Sequence, residues 1–335
     1  MIITRTPFRI SFAGGGTDLP SFYKNEPGCV LSTSIDKYMF IAMHPFFDPE
    51  QIQLKYSKTE LVNEHKDISH PILREVLKQY QLKGVDINSI ADVPAGTGLG
   101  SSSSFTVGLL HTVNTYLGQK VSADKLAAEA SDIEINKLKD PIGKQDQYAA
   151  AYGGLNLITF NPNGSVQVEK IEMDKKKQNE LAENLIMIYT GDTRSASKIL
   201  KVQNENTNQK ATLENLRKMS ELARELKAAL DKNQLDSFGE ILNAGWELKR
   251  SLVKEISNTN VDALYTAGLK AGALGGKLLG AGGGGFLLFY CPKEQQDKFR
   301  KTMAKYRELL FDFDNDGSKV IYIGEHDVNY RSIKK

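Results

Sequence analysis

Pro94-Ala-Gly-Thr-Gly-Leu-Gly-Ser-Ser-Ser-Ser104 joins three alternating glycines to four consecutive serines, and an amphipathic run follows at once. Phe105, Leu109, Val113 and Leu117 recur every fourth residue, which predicts a helix over 101–117 with Gly118 as its stop. Glycine removes the Cβ that would keep an anion away from the backbone, and a helix start supplies unsatisfied N–H donors at a positive dipole end. The span from Pro94 through Gly96, Gly98, Leu99 and Gly100 to Ser101, Ser102 and Ser103 therefore reads as a polyphosphate cradle. The serine hydroxyls are placed to meet phosphate oxygen or Mg²⁺. A serine N-cap after a flexible turn fits the same letters. A Walker A loop does not, since no GxxxxGK[ST] occurs and Gly276-Lys277-Leu278 lacks the hydroxyl residue. The GxGxG spacing also misses the dinucleotide fingerprint, and the protein-kinase motif set is absent.

Outward from that loop, a chain of 335 residues with 40% hydrophobic and 25% charged residues has the profile of a soluble globular protein, and two domains fit the length. Basic and acidic residues number 43 and 41, a formal net charge of +2, so no bulk field draws a nucleic acid or a membrane, and a bound anion must be held locally. The first ten residues contain no apolar signal core, and the longest apolar run, Phe286 to Cys291, is too short to span a bilayer. A cytoplasmic location is expected. Cys29 and Cys291 are far apart and outside any CxxC spacing, which reads as two buried thiols in a reducing compartment.

Phe8, Ile10 and Phe12 alternate with Arg9 and Ser11, as in a strand with one buried face, and the strand runs into Gly14-Gly15-Gly16. Val30 to Met43 reads as a strand, with a turn within it left open. After the helix over 101–117, Ser122 caps another that carries Leu126, Ala130 and Ile133 inward and ends before Pro141. Leu155 to Phe160 is an apolar strand closed by the turn Asn161-Pro-Asn-Gly164. The charged stretch Asp174 to Glu183 precedes the apolar run Leu185 to Tyr189, and the boundary between domains 1–180 and 181–335 falls there. Helical patterns then cover roughly 205–230 and 235–256, before a glycine-rich run and the strand Phe286 to Tyr290. Strands and helices mix in both halves, so the class is α+β or α/β in layers.

The loop 94–104 resembles the second of three motifs shared by the GHMP superfamily of galactokinase, homoserine kinase, mevalonate kinase and phosphomevalonate kinase. Pro7-Phe-Arg-Ile-Ser-Phe-Ala-Gly-Gly-Gly-Thr-Asp18 resembles the first, and Lys277-Leu-Leu-Gly-Ala-Gly-Gly-Gly-Gly285 the third. The three stand in order from residue 7 to about 290. The resemblance implies an α+β two-domain fold, with an N-terminal ribosomal-S5-like domain binding ATP, a C-terminal ferredoxin-like domain and the active site in the cleft between them. It also implies ATP and Mg²⁺ as cofactors. Gly280, Gly282, Gly283 and Gly284 would form a structural turn beside the phosphate loop, or merely a close backbone crossing.

Asp140-Pro-Ile-Gly-Lys-Gln-Asp-Gln147 resembles the stretch that bears the superfamily's catalytic aspartate, which makes Asp146 the base or the group that orients the acceptor hydroxyl. Arg9 matches the basic residue of the first motif, and a cation beside Asp146 would keep it ionised. Glu134 matches the metal-binding glutamate and with Ser102 would hold Mg²⁺ through oxygen, although Glu129 and Asp132 lie close in sequence.

Galactokinases read Gly-Glu-His-Thr-Asp where this chain has Gly14-Gly-Gly-Thr-Asp18, so galactose is not the expected acceptor. Gly16, Thr17 and Asp18 remain suited to sugar hydroxyls, with an Asx-turn as the bland alternative for Asp18. GGGTDLP, Ser34-Ile-Asp-Lys-Tyr38, PIGKQDQYAAAYGG, Tyr189-Thr-Gly-Asp-Thr-Arg194 and Trp246-Glu-Leu-Lys-Arg250 resemble a sugar-1-kinase branch whose acceptor already carries a phosphate. Thr193 and Arg194, with Lys37 as second choice, would read that phosphate. The expected partner is thus a small-molecule sugar phosphate, with no nucleic acid and no membrane, and a homodimer is left open. A fucokinase-like sugar 1-kinase and a non-catalytic sugar- and ATP-binding regulator on the same fold are the rival readings. Asp312 to Gly317 opens like an EF-hand, but Ile323 stands where the bidentate glutamate is required, and the histidines show no metal spacing.

Overall fold

β1 (Ile2–Ala13) buries Phe8, Ile10 and Phe12 as the alternation predicts and pairs antiparallel with β2 (Gly28–Pro45). The computed structural model describes residues 1–191, 196–207 and 209–324. No turn interrupts β2. Its pairing slips instead opposite Pro7 and Phe8, where Pro7 faces Tyr38 and Phe8 faces Ile35. Proline has no N–H to give the ladder, so Asp36 and Lys37 bulge out at that point.

β3 (Ile52–Lys55), β4 (Thr59–Val62), β5 (Val85–Ala91), β6 (Leu155–Phe160) and β7 (Val166–Lys170) extend this sheet. A second, four-stranded antiparallel sheet holds β8 (Leu185–Tyr189), β9 (Gly275–Leu278), β10 (Phe286–Tyr290) and β11 (Glu308–Leu309) in the order β11-β8-β10-β9. The chain then returns. β12 (Phe313–Asp314) pairs with β2, and β13 (Lys319–Ile323) pairs with β1, which completes nine strands in the first sheet among the described residues. The expected unit 181–335 is therefore not confined to the second sheet, because its last strands cover edges that β1 and β2 would otherwise leave unpaired.

The helices of the first half are α1 (Pro20–Tyr23), α2 (Pro71–Gln79), α3 (Ser101–Tyr116), α4 (Ala123–Ser131) and α5 (Gln145–Tyr152). α3 lies on β1 and β2 and buries Phe105, Leu109 and Val113 on its predicted face. Ser122 caps α4 by accepting from the Lys125 N–H at 3.2 Å. The second half adds α6 (Lys175–Glu183), α7 (Ala196–Asn206), α8 (Lys210–Leu230), α9 (Phe238–Leu252), α10 (Thr259–Lys270) and α11 (Gln296–Met303). The charged stretch before β8 is thus a helix, anchored by Leu181 alone. The helical pattern over 205–230 starts within α7 and breaks before α8, and that over 235–256 ends at Leu252 ahead of a short 3-10 turn.

α8 packs on β1, β2 and α9, and Phe12 meets Phe238 edge-on at 5.2 Å, so the two sheets share a packed seam. Cys29 and Cys291 are both buried free thiols. No described helix is long and apolar enough to cross a membrane.

Candidate active site

The glycines of the phosphate loop are required by backbone geometry. Gly96, Gly98 and Gly100 have φ of 77°, 86° and 76°, in the left-handed region that disfavours any Cβ. A Cβ on Gly98 would lie 2.4 Å from the Leu279 carbonyl oxygen, and one on Gly280 would lie 2.5 Å from the Gly98 Cα. The third glycine run therefore crosses the phosphate loop at Gly280. Gly282 and Gly283 pack on Ile256 instead, the latter donating its N–H to the Ile256 carbonyl at 2.9 Å. Gly284 lies in the same turn, before Gly285, whose neighbour across the turn is the Thr97 carbonyl.

The N-cap of α3 is Gly100, and no side chain caps it. The first N–H groups of that helix thus remain available to an anion, which sets aside the serine-cap alternative. Ser101 and Ser102 face the open space in front of the helix, while Ser103 is buried beside Glu134. Leu99 sends its side chain into the core and contributes its carbonyl, which accepts from the Arg9 N–H at 3.1 Å. Pro94 borders an adjoining cavity.

α4 runs on into one π-helical turn, Asp132–Lys137, a distortion common at functional sites. It carries Glu134 into the interior. Ser102 Oγ donates to its Oε1 at 2.7 Å and Gln147 Nε2 to its Oε2 at 2.6 Å. Burial pushes the Glu134 carboxyl up to about 7 against the pull of these donors, and Asp146 adds repulsion. The neighbouring acids are occupied elsewhere: Glu129 accepts from Tyr80 at 2.7 Å, and Asp132 accepts from Asn136 at 2.8 Å.

Arg9, on β1, reaches across to the first turn of α5. Its Nε and Nη2 each meet an oxygen of Asp146 at 2.7 Å, and its Nη1 donates to the Gly98 carbonyl at 2.6 Å. One guanidinium therefore ties the aspartate to the phosphate loop. Asp18 is buried nearby, accepting from the Gly16 N–H at 2.9 Å and from Gln145 Nε2 at 3.1 Å, and burial raises its pKa. Gly16 lines the same cavity.

Two of the expected acceptor contacts fall elsewhere. Thr17 is fully buried, and its hydroxyl is taken up by the Gly14 and Cys29 carbonyls at 2.8 and 3.0 Å, so it holds the turn together instead of meeting a ligand. Lys37 sits in the β2 bulge, where its Nζ is bonded to Asp36 at 2.8 Å, and it borders neither cavity. Thr193 and Arg194 lie outside the described residues.

The structure adds groups to which the sequence reading assigns no role, although Asp140, Gln145 and Lys249 stand within its motif strings. Asp140 lines the cavity, and burial raises its pKa. Gln203 of α7 is 1% exposed and lines the cavity, and its Nε2 has no partner among the described residues; Gln145 Oε1 is likewise buried and unpaired among them. Lys249 of α9 is buried against the cavity, donates to the Gly280 carbonyl, and is pushed down to about 8 by burial and by Arg9, with Asp18 and Asp146 opposing. A sequence signal for Lys249 exists: it occupies a core position on a stripe of Phe238, Ile241, Leu242, Trp246 and Leu252.

The cavity that holds the side chains of Arg9, Asp18, Asp146, Gln203 and Lys249 adjoins a second one bordered by Tyr56, His70, Ile72, Val93 and Phe105. Gly96, Ser101, Ser102 and Asp140 border both. A slot edged by aromatic rings, the first N–H groups of α3 and a cup carrying charged and amide side chains thus follow one another, an order that suits a nucleotide base, its phosphates and a hydroxylated acceptor. Ser102 and Glu134 present hard oxygen donors where the phosphates would lie. No group of three or more His, Cys, Asp and Glu gathers among the described residues, so a cation here would take most of its ligands from phosphate and water, as Mg²⁺ does.

Two family descriptions match the chain, "GHMP kinases N terminal domain" over residues 67–154 and "GHMP kinases C terminal" over 226–308. The D-glycero-alpha-D-manno-heptose 7-phosphate kinase of Campylobacter jejuni is 29% identical over 324 residues, covering 93% of this chain and 96% of that protein. The galactokinase of Pyrococcus furiosus is 25% identical over 360 residues, covering 93% and 94%. Among solved structures, a D-glycero-D-manno-heptose 1-phosphate kinase from Bacteroides thetaiotaomicron superposes with a TM-score of 0.80 at 23% identity, over 97% of this chain and 100% of that one.

Proposed function

Because the chain belongs to the GHMP kinases, with the N-terminal domain in one half and the C-terminal domain in the other, we propose that it transfers the γ-phosphate of ATP to the anomeric hydroxyl of D-glycero-α-D-manno-heptose 7-phosphate. The product is the 1,7-bisphosphate, for GDP-heptose and surface-glycan synthesis. The observation that carries the transfer chemistry is the Arg9–Asp146 pair, which stands between the free N–H groups of α3 and the polar cup around Asp18. An acceptor hydroxyl in that cup meets a carboxylate paired with a guanidinium, and its proton passes to Asp146 as the oxygen attacks. Gly96 to Ser103 hold the nucleotide phosphates through backbone donors, and the slot between Tyr56, His70 and Phe105 takes the base. Ser102 and Glu134 would hold Mg²⁺, which would supply charge neutralisation at the phosphates.

The choice of sugar is supported by the 29% identical Campylobacter protein and by the absence of the galactose-reading pair at Gly15 and Gly16. The unpaired amide atoms of Gln145 and Gln203 and the buried carboxylate of Asp18 suit a ligand rich in hydroxyl groups. Coupled ADP release across heptose 7-phosphate, mannose, fucose and galactose tests the reading. Turnover confined to heptose 7-phosphate is expected. Robust turnover of an unphosphorylated hexose, with none of the heptose phosphate, replaces it with a fucokinase-like activity. Binding of ATP and sugar without any turnover leaves a regulator.

A further inference from the structure

Lys249 departs from the packing pattern of α9. α9 points Phe238, Ile241, Leu242, Trp246 and Leu252 inward, and Lys249 stands in the same register, 6% exposed. A buried ammonium is destabilising unless anions or hydrogen bonds compensate it, and it carries three donors. Its hydrogen-bond acceptor among the described residues is the Gly280 carbonyl. The groups facing it are Arg9 from β1, Lys277 from β9, Asp18 from the turn after β1 and Asp146 from α5.

Neither neighbouring cation has the same freedom. Arg9 is committed to Asp146 and to the Gly98 carbonyl. Lys277 donates to the Ser11 and Phe12 carbonyls and does not border the cavity. Lys249 borders it with donors to spare, and Gly280, to which it is bonded, abuts Gly98 of the phosphate loop. The ammonium therefore sits where the phosphate loop meets the acceptor carboxylates, and not at a far end of the sugar cup.

We propose that Lys249 is a catalytic residue that contacts the oxygens of the γ-phosphoryl group while that group is between nucleotide and acceptor. This rests on the kinase reading above. In the step, the acceptor oxygen forms a bond to the γ-phosphorus as the bond from that phosphorus to the bridging oxygen breaks. The electron pair stays on the β-phosphate of ADP, and the hydroxyl proton goes to Asp146. Lys249 keeps its protons and offsets negative charge on the moving group, the role that positioned cations play in phosphoryl transfer.

The test compares the parent with Lys249→Met and Lys249→Arg, using ATP, heptose 7-phosphate, and ADP with aluminium fluoride as a mimic of the group in transit. Lys249→Met is expected to lower kcat by about 10²- to 10³-fold. Its KM values for both substrates should stay within about threefold, a split that marks an interaction made only in transit. ADP should bind the Met variant as it binds the parent, but aluminium fluoride should no longer tighten that binding in the presence of the sugar. Lys249→Arg should recover part of both losses. A large rise in the sugar-phosphate KM at unchanged kcat overturns the proposal and makes Lys249 a reader of the acceptor's own phosphate. A parallel loss of ADP binding and of melting temperature in both variants overturns it in favour of a structural role. If the parent turns over a different sugar, the substrate reading fails, and Lys249 is scored with that sugar.

Discussion

Replacing Lys249 with methionine should stabilise the ligand-free protein near neutral pH while removing activity. The ammonium is pushed down to about 8 from 10.5, first by burial and then by Arg9, against the pull of Asp18 and Asp146. Unfolded, the same lysine holds its proton to about 10.4. Below pH 8 both states are protonated, and the folded state bears the whole cost of a buried charge. At about 1.4 kcal/mol for each pH unit between the two values, that cost is about 3 kcal/mol. Between pH 8 and 10.5 the unfolded chain binds the extra proton, so stability from this group rises with pH until the cost is gone. Methionine removes the charge, keeps much of the stem's packing, and forfeits the bond to the Gly280 carbonyl, worth about 1 kcal/mol. The net gain near pH 7 is then about 2 kcal/mol, shrinking towards zero and reversing near pH 10. Denaturant and heat melts of parent and variant without nucleotide, at pH 7 and 9.5, measure it. A parent as stable as the variant at pH 7, or a difference that does not change with pH, would refute the reasoning.

Asp146→Asn should lower kcat by about 10²- to 10⁴-fold with ATP binding little changed, because the group lost acts on the acceptor proton; pre-steady-state ADP formation with equilibrium ATP binding checks both, and an unchanged rate removes Asp146 from the chemistry. Gly280→Ala should raise the KM for ATP about tenfold or more and move the sugar KM less, since a Cβ there would sit 2.5 Å from the Gly98 Cα. Its φ of +75° adds about 1–2 kcal/mol of backbone strain. Equal KM values in parent and variant would show that the crossing yields without disturbing the phosphate loop.

What could be read in the sequence depended on whether a residue's task is local. Gly96, Gly98 and Gly100 sit beside a helix start, and that short string already contains the reason for them. Thr17 and Lys37 show the limit. A hydroxyl in a glycine turn can serve the turn or a ligand, and only the approach of the Cys29 carbonyl decides that Thr17 serves the turn. The bulge that turns Lys37 onto Asp36 arises from Pro7 on the partner strand, which no reading of 34–38 contains. Glu134 and Lys249 share a cue that goes beyond motifs. Glu134 follows Ala127, Ala130 and Ile133 onto the buried face of its helix, as Lys249 follows Ile241, Leu242 and Trp246 onto the buried face of α9. A charge at a position where helical spacing calls for an apolar side chain is costly unless something meets it. Here one such charge is a carboxylate bonded to Ser102 and the other an ammonium bonded to Gly280, an anion and a cation that each adjoin the phosphate loop. A metal cation would meet the first and a phosphoryl anion the second. On the proposed kinase reading, the two misfits in the apolar pattern would be met by one ligand, a metal-bound nucleotide.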